Sequence, residues 1–370
     1  DRLRSRGLGD VYKRQVLYIS ENLISPSGGV VGNKRNQKVL KEYFGQKSVF
    51  YKFLDYKAMN ICRKYFFEIK NRNIFGVDKE IVNEIFADIK SYNIDLVWLD
   101  SSNLGFLAEK IKLKYPKLKI ITFFHNVEYS FMIDQLKLTY NPKFFHRIAL
   151  AWINEKKACK YSDRIICYND RDASGIFKRY GRYPDMQIPI SLKDDDISSD
   201  IKLPSSNCTA LFLGSNFPPN IEGIRWFVKN VLPFTKINLV IAGSGMEFLR
   251  DEFCGIDRLQ VLGYVEDLNK LYASVRFMVM PILSGSGMKV KTAEALKYGK
   301  FIFASPEAVV GYKVTKTEVC VCEDAKAYIK NINNMSAQID GFNKSSRDLY
   351  KKYYSYAATR AQFNVLFSKL

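Results

Sequence analysis

Apolar residues in this chain fall in short runs separated by longer amphipathic stretches. A short apolar run bounded by polar or glycine residues is the mark of a buried strand, and apolar spacing of i, i+3, i+4 that of a helix face. The pattern predicts strands at residues 16–20, 48–53, 95–100, 119–124, 164–167 and 186–190. A second series follows at 210–213, 239–242, 259–262, 277–280, 301–304 and 319–322. Helices are predicted between them, at 33–44, 77–91, 104–113, 143–158, 169–181, 221–231 and 288–298, and residues 337–370 read as a terminal helical region. Strand alternating with helix argues for parallel sheets covered by helices. The polar stretch 193–207, with its Pro and several Ser, interrupts the pattern and reads as a linker between two such domains, 16–192 and 208–336.

The unit at 281–306 organises the second series. A strand ends at Pro281, the loop Ser284-Gly285-Ser286-Gly287 follows, and an amphipathic helix runs from Met288 to a stop at Gly299 before the next strand. Glycines let a backbone approach a ligand closely, and the first amides of a helix have no partner within it. Those amides and the helix dipole favour an anion such as phosphate. Lys289 and Lys291 add positive charge to the same turn, although surface lysines are commonly just solvated. One turn on, Glu294 is placed to accept hydrogen bonds from sugar hydroxyls; its alternative is an ordinary exposed helix carboxylate.

In the first series, His125-Asn126-Val127-Glu128 follows directly on a strand. The carboxyl ends of central parallel strands are where open α/β domains bind ligands. His125 is therefore a candidate site residue, weighed against a satisfied core histidine, while His146 in a basic, aromatic helix reads as structural. Gly28-Gly29, after the first strand, marks another such turn, though paired glycines also suit a plain loop.

Composition narrows the class. The 370 residues are 47% hydrophobic and 26% charged, as in globular proteins. No apolar run reaches the ~18 residues of a transmembrane helix. Residues 1–15 lack an initiator Met and any apolar period, and are expected to be a non-native leader. The seven cysteines form no CxxC pair, and most read as small buried hydrophobes in a reducing compartment. The net charge of +19 reads first as lysine-rich solvated faces, and second as attraction to phosphate-bearing substrates or an anionic membrane. Nucleic acid is not expected as a partner, because no binding motif accompanies the charge. Asp170-Arg171-Asp172 and Asp194-Asp195-Asp196 have a metal-site spacing, but one opens a helix and the other lies in the linker, so no metal is expected. The aromatic, basic stretch 56–75 and the helix near 143–157 read as aromatic core under a Lys-rich surface, with a membrane or lipid-linked acceptor as the alternative.

The combination resembles glycosyltransferase family 4, the group 1 glycosyltransferases of bacterial polysaccharide biosynthesis. The residues that carry the likeness are Phe212 to Asn220 with Trp226-Phe227 and Leu232-Pro233; Ile241 to Gly245; Leu262 to Val265 with Asp267-Leu268; and Gly285 to Lys291 with Glu294-Ala295-Leu296, Gly299-Lys300 and Ala304-Ser305. Gly28-Gly29 and His125 to Glu128 fit the acceptor-side loops. The resemblance implies the glycosyltransferase B fold, two open Rossmann-like α/β domains of parallel sheet facing a cleft. It implies a retaining, metal-independent transfer from a nucleotide sugar, which is substrate and not cofactor, to a polysaccharide or lipid-linked acceptor. The cytoplasm, at the inner face of the membrane, is the implied location. Carried over residue by residue, it assigns His125 and Lys291 to catalysis. It assigns Gly28, Gly29, Gly214, Asn220, Tyr264, Val265, Gly285, Gly287, Met288, Lys289 and Glu294 to the donor. Ser286 stands where the family commonly has a glutamate, and Ser215 and Asn220 where many members have Arg and Lys, which leaves the phosphate charge to Lys289 or Lys291. Those departures keep open a non-catalytic nucleotide- or glycan-binding subunit, and an epimerase on the same fold.

Overall fold

The computed structural model describes residues 14–21, 28–55, 60–194 and 208–370. The chain divides into two compact units: one runs to Pro189 and takes in Thr359–Leu370, and the other is Ile190–Ala358. Of the expected leader only residues 14 and 15 are described, and Gln15 already donates its amide to Asp95 at 2.9 Å. Most of the expected linker, 195–207, lies outside the described residues.

The first unit is built on β1 (Val16–Glu21), β2 (Val49–Leu54), β3 (Leu96–Leu99), β4 (Lys119–Phe124), β5 (Arg164–Cys167) and β6 (Met186–Gln187). They pair in the order β2-β1-β3-β4-β5-β6, all parallel. Leu96, Val97, Trp98 and Leu99 are wholly buried, as expected of a central parallel strand covered on both faces. β6 is shorter than the predicted 186–190, because Pro189 has no amide to continue the ladder.

The helices are α1 (Gly28–Phe44), α2 (Ile61–Asn71), α3 (Lys79–Ser91), α4 (Gly105–Lys114), α5 (Glu128–Thr139), α6 (Phe144–Tyr161) and α7 (Asp170–Tyr180). Asp78 caps α3 by accepting from the Ile81 amide at 3.0 Å, and Val82, Ile85 and Ile89 face the core. Asn169 and Asp172 cap α7 reciprocally, Oδ1 of Asn169 accepting from the Asp172 amide at 3.0 Å and its Nδ2 donating to the Asp172 carboxylate at 2.8 Å. The Asp170-Arg171-Asp172 spacing is therefore a helix start. α5 has no capping side chain of its own; the buried Glu155 of α6 accepts from the amides of Glu128 at 2.7 Å and Tyr129 at 3.2 Å. Three helices of this unit differ from expectation: α1 begins at Gly28, so the expected turn at Gly28-Gly29 is helix, α5 was not predicted, and α2 forms within the aromatic stretch 56–75, capped by Asn60.

The second unit repeats the architecture with β7 (Thr209–Leu213), β8 (Asn238–Ala242), β9 (Leu259–Gly263), β10 (Phe277–Met280), β11 (Phe301–Ala304) and β12 (Val319–Val321). Their order is β12-β11-β10-β7-β8-β9, again parallel. α8 (Pro218–Asn230), α9 (Leu249–Glu252), α10 (Leu268–Ala273), α11 (Val290–Lys297), α12 (Ala325–Met335) and α13 (Lys344–Leu349) accompany the sheet. A π-turn at Tyr350–Tyr354 leads to α14 (Tyr356–Ser368), which crosses the boundary between units. In the first unit Phe363 and Phe367 of α14 reach Trp98 with ring centroids 6.1 and 6.2 Å apart, so the end of the terminal helical region completes the first core.

In each sheet the chain leaves its first strand toward one side and later returns to the other. The switch lies between β1 and β3 in the first unit and between β7 and β10 in the second, and the carboxyl ends of these strands are where an open α/β sheet binds ligands. Among the described residues, no helix is long and apolar enough to cross a membrane.

Candidate functional site

In the second unit the ends of β7, β8 and β10 converge. The Gly214 amide donates to Ala242 O at 2.9 Å, and Gly243, at φ 137°, lies so close that a Cβ there would be 2.0 Å from the Gly214 carbonyl oxygen. Gly223 of α8 packs as tightly on the Pro281 carbonyl, where a Cβ would come within 1.8 Å. Between β10 and α11 runs the Gly-rich loop, with Gly285 at φ 125° and Gly287 at φ 67°, both conformations that strain a residue with a side chain. Ser284 Oγ ties this loop to α8 by donating to Glu222 at 2.9 Å.

The two lysines of the loop behave differently. Lys289 turns back on its own loop, donating to the carbonyls of Ser286 and Gly287 at 3.1 Å each and pairing with Glu307 at 2.7 Å. Tyr312 adds a hydrogen bond from its hydroxyl to the Lys289 carbonyl at 2.7 Å. Lys289 therefore holds the loop closed. Lys291, in the first turn of α11, reaches across the switch point to β7 and α8. Its Nζ donates to Asn220 Oδ1 at 2.5 Å, lies 4.9 Å over the Phe212 ring, and is 3.1 Å from where a Cβ on Gly214 would be. Burial and the neighbouring charge of Lys289 push its ammonium down to about 7, with Glu294 pulling the other way.

Glu294 lies one turn beyond Lys291. Burial raises its carboxyl above the usual range against the pull of Lys297 and Lys291. With Glu266, Asp267, Lys270, Lys297 and Tyr298 it borders an open depression of about 740 Å³. Its floor is stiff: Tyr298 stacks on the buried Tyr272 with ring centroids 3.9 Å apart and planes 6° from parallel. Along α11, Lys291 stands beside the Gly-rich loop, and Glu294, one turn on, faces this depression beside Tyr298. A helix start with a cation and loop amides, followed one turn on by a carboxylate, can hold an anionic group joined to a polyhydroxylated one.

In the first unit, His125 follows β4, Asp100 follows β3 and Tyr168 follows β5, so three adjacent strands end in one polar cluster. His125 Nε2 donates to Asp100 Oδ1 at 3.3 Å, and its Nδ1 shares a 2.8 Å hydrogen bond with the Tyr168 hydroxyl. Asp100 is buried and also accepts from Tyr18, from Asn36 at 2.6 Å and from Trp98 at 2.9 Å. Burial alone would raise its carboxyl, but the His125 charge and the hydrogen bonds from His125, Tyr18 and Trp98 outweigh it and leave it below the usual range. Gly32 of α1 faces this cluster, where a Cβ would come 2.3 Å from the Tyr168 hydroxyl and 2.9 Å from the His125 ring.

Of the residues singled out from sequence, Gly214, Asn220, Lys291 and Glu294 come together around α11, and Gly285, Gly287, Met288 and Lys289 form the loop before it. α11 begins at Val290, not Met288. Tyr264 and Val265 follow β9, three strands along from β10; Tyr264 is exposed and its amide donates to Glu247 at 2.9 Å. Gly28 and Gly29 open α1 in the first unit, one turn before Gly32. His146 is a structural partner, its Nε2 donating to the buried Glu68 at 2.5 Å. Sequence reasoning missed Asp100, Tyr168, Phe212 and Glu307. Position could have found the first two, since each directly follows an apolar strand, as His125 does; Glu307 carries no local signal.

Comparison with known proteins agrees with this geometry. Residues 207–338, which hold the whole of the second site, match the family of glycosyl transferases group 1. A relative from Klebsiella pneumoniae, an uncharacterized 44.6 kDa protein in the cps region, is 26% identical over 156 residues. That match spans 37% of this chain and 39% of the relative. Sucrose-phosphate synthase from Thermosynechococcus elongatus has the same architecture, with a TM-score of 0.70 at 16% identity over 96% of this chain and 99% of its own. Anabaena HepE, solved in complex with UDP, gives 0.67 at 12% identity over 96% and 100%; with UDP-glucose it gives 0.66 at 11% identity over 96% and 100%. The two Rossmann-like units thus have the glycosyltransferase B fold.

Proposed function

We propose that this protein is a retaining glycosyltransferase that moves a hexosyl or related sugar from a nucleoside diphosphate donor to a polysaccharide or lipid-linked acceptor. The observation that carries the reading is the reach of Lys291 from α11 to Asn220 and Gly214, at the switch point of the unit that holds the family match. Glycosyl transfer from such a donor breaks the bond between the anomeric carbon and the phosphate oxygen, so negative charge grows on the leaving diphosphate. A cation and backbone amides aimed at that charge lower the barrier. Lys291 and the Ser284–Lys289 loop supply them. Glu294 accepts hydrogen bonds from the ribose hydroxyls, with the base over the depression beside Tyr298. Both act by positioning the donor.

In the first unit, Asp100 orients His125, which we assign to the acceptor side, and Gly28 and Gly29 begin helix α1, one turn before the Gly32 that faces His125. The transfer proceeds without metal, in the cytoplasm at the inner face of the membrane, as part of surface polysaccharide assembly. The region of the Klebsiella relative supports that setting. A second reading, a nucleotide-binding subunit without turnover, draws support from Ser286 and Ser215 and from the engagement of both His125 nitrogens within the protein.

A panel of nucleotide sugars tests the proposal through release of nucleoside diphosphate with an acceptor extract, followed by the anomeric configuration of the product. Release with retention is expected. A nucleotide-induced thermal shift without release from any donor would favour the second reading, and absence of both would sink the two together.

A further inference from the structure

Helix α2 is amphipathic, yet its apolar face points to solvent. Cys62, Tyr65, Phe66 and Ile69 recur at i, i+3, i+4 and i+7, and all four are exposed, Phe66 at 70%. Among the described side chains of α2 the most completely buried is instead its acid, Glu68, held by His146 at 2.5 Å and Arg147 at 2.6 Å on α6. α6 repeats the inversion. Phe145 and Trp152 stand outward on one stripe, 66% and 40% exposed, while its acid, Glu155, is buried. The two helices touch, with the Tyr65 and His146 rings 4.6 Å apart. Each helix has one acidic residue and turns it inward. What remains outside is basic: Arg63, Lys64 and Lys70 on α2, and Lys156 on α6, whose Nζ lies 5.0 Å over the Trp152 ring.

We propose that the outward face of α2 and α6 docks the protein on an anionic lipid bilayer, with Tyr65, Phe66, Ile69, Phe145 and Trp152 entering the headgroup region. Aromatic side chains on one face of a helix flanked by Lys and Arg are what a bilayer interface takes up. Each basic residue near an anionic surface adds attraction that salt screens. A second copy of this chain is the poorer occupant, since it would bring the same basic face, in a molecule of net charge +19. This surface does not depend on the transfer chemistry. A chain that binds vesicles but no nucleotide overturns the proposed function and leaves the docking surface standing.

The test is sedimentation of the full chain with vesicles of phosphatidylcholine alone, or of phosphatidylcholine with one-third phosphatidylglycerol. Binding is expected only to the anionic vesicles and should weaken with added salt. Phe66→Ser with Ile69→Ser should lower the partition coefficient at least about tenfold, because it removes two apolar side chains from the contact. Arg63→Glu with Lys70→Glu should remove the preference for phosphatidylglycerol. Because these side chains are exposed, the melting temperature and nucleoside diphosphate binding should not change. The proposal is overturned by failure to bind anionic vesicles, by equal binding to both compositions, or by unchanged binding of the Phe66→Ser, Ile69→Ser chain. A wild-type dimer that the same pair dissolves would assign the face to a second copy instead.

Discussion

The Lys291 ammonium donates to Asn220 Oδ1 at 2.5 Å while standing 4.9 Å above the Phe212 ring. A buried lysine held this way, with no carboxylate on its Nζ among the described residues and Lys289 close by, gives up its proton easily, which is why its pKa falls to about 7. A bound diphosphate would reverse that, since the charged form then gains a partner. Nucleoside diphosphate binding should therefore take up a proton and weaken as pH rises from about 7 to 9. Calorimetry in buffers of different ionisation enthalpy would detect the uptake. Lys291→Arg should flatten the profile, because guanidinium stays charged. For the unliganded protein the sign is opposite. A depressed lysine contributes stability present above its unfolded pKa near 10.5 and lost as pH falls through about 7, so Lys291→Met should melt higher at pH 7 while binding less nucleotide. A pH-independent affinity in the wild type would rule out Lys291 as the phosphate cation.

Glu294 separates the ribose from the phosphates. Replacing it by Ala should weaken binding of uridine diphosphate by roughly 10- to 100-fold, the worth of charged hydrogen bonds to two hydroxyls. Inorganic pyrophosphate, which lacks those hydroxyls, should bind as before. Equal losses for both ligands would place Glu294 at the phosphates or make its effect structural.

Glu155 leaves a signature in stability alone. It is fully buried, and burial raises its carboxyl to about 7 although Tyr180 and the amides of Glu128 and Tyr129 donate to it. A raised carboxyl contributes stability that is complete below its unfolded value, near 4.5, and is lost as pH rises through about 7. Unfolding free energies measured from pH 5 to 8 should show the wild type losing ground to Glu155→Gln as pH rises, by up to about 3 kcal/mol. Parallel curves for the two proteins would contradict the assignment.

Asp100 accepts from Tyr18, Asn36, Trp98 and His125. Asn in its place offers one carbonyl oxygen and two unwanted donors, leaving buried donors unmatched at a cost of about 3 kcal/mol. Since the Asp100 carboxyl lies below its usual range, its contribution is present above the unfolded pKa and lost as pH falls through the lower folded value. Asp100→Asn should therefore melt well below wild type at neutral pH, with the gap closing in strong acid, as circular dichroism would show. A melting temperature within a degree of wild type at pH 7 would mean the cluster is not a load on the fold.

All twelve predicted strands are present, because a parallel strand covered on both faces must be apolar along its length, and such runs as Phe277 to Met280 are hard to mistake. The helix within 56–75 was not legible. Its apolar stripe, Cys62 to Ile69, looks outward, so an argument that apolar residues seek the core puts them on the wrong side. The loop glycines and Glu294 could be read from spacing because they lie close together in sequence. The pairing of Lys289 with Glu307, and of Lys291 with Asn220, could not.

The sequence by itself determined where the strands and most of the helices lie, the two series of parallel strands, and a Gly-rich loop leading into a basic helix. Those features rest on local periodicity and on φ, which each residue and its near neighbours dictate. Only the tertiary structure decided which charge goes where. It turned Lys289 onto its own loop, sent Lys291 seventy-one positions back to Asn220, and ended three strands in Asp100, His125 and Tyr168. Whether a charge is paired or desolvated depends on what the sheet brings beside it, and the order of strands is not written in any one of them.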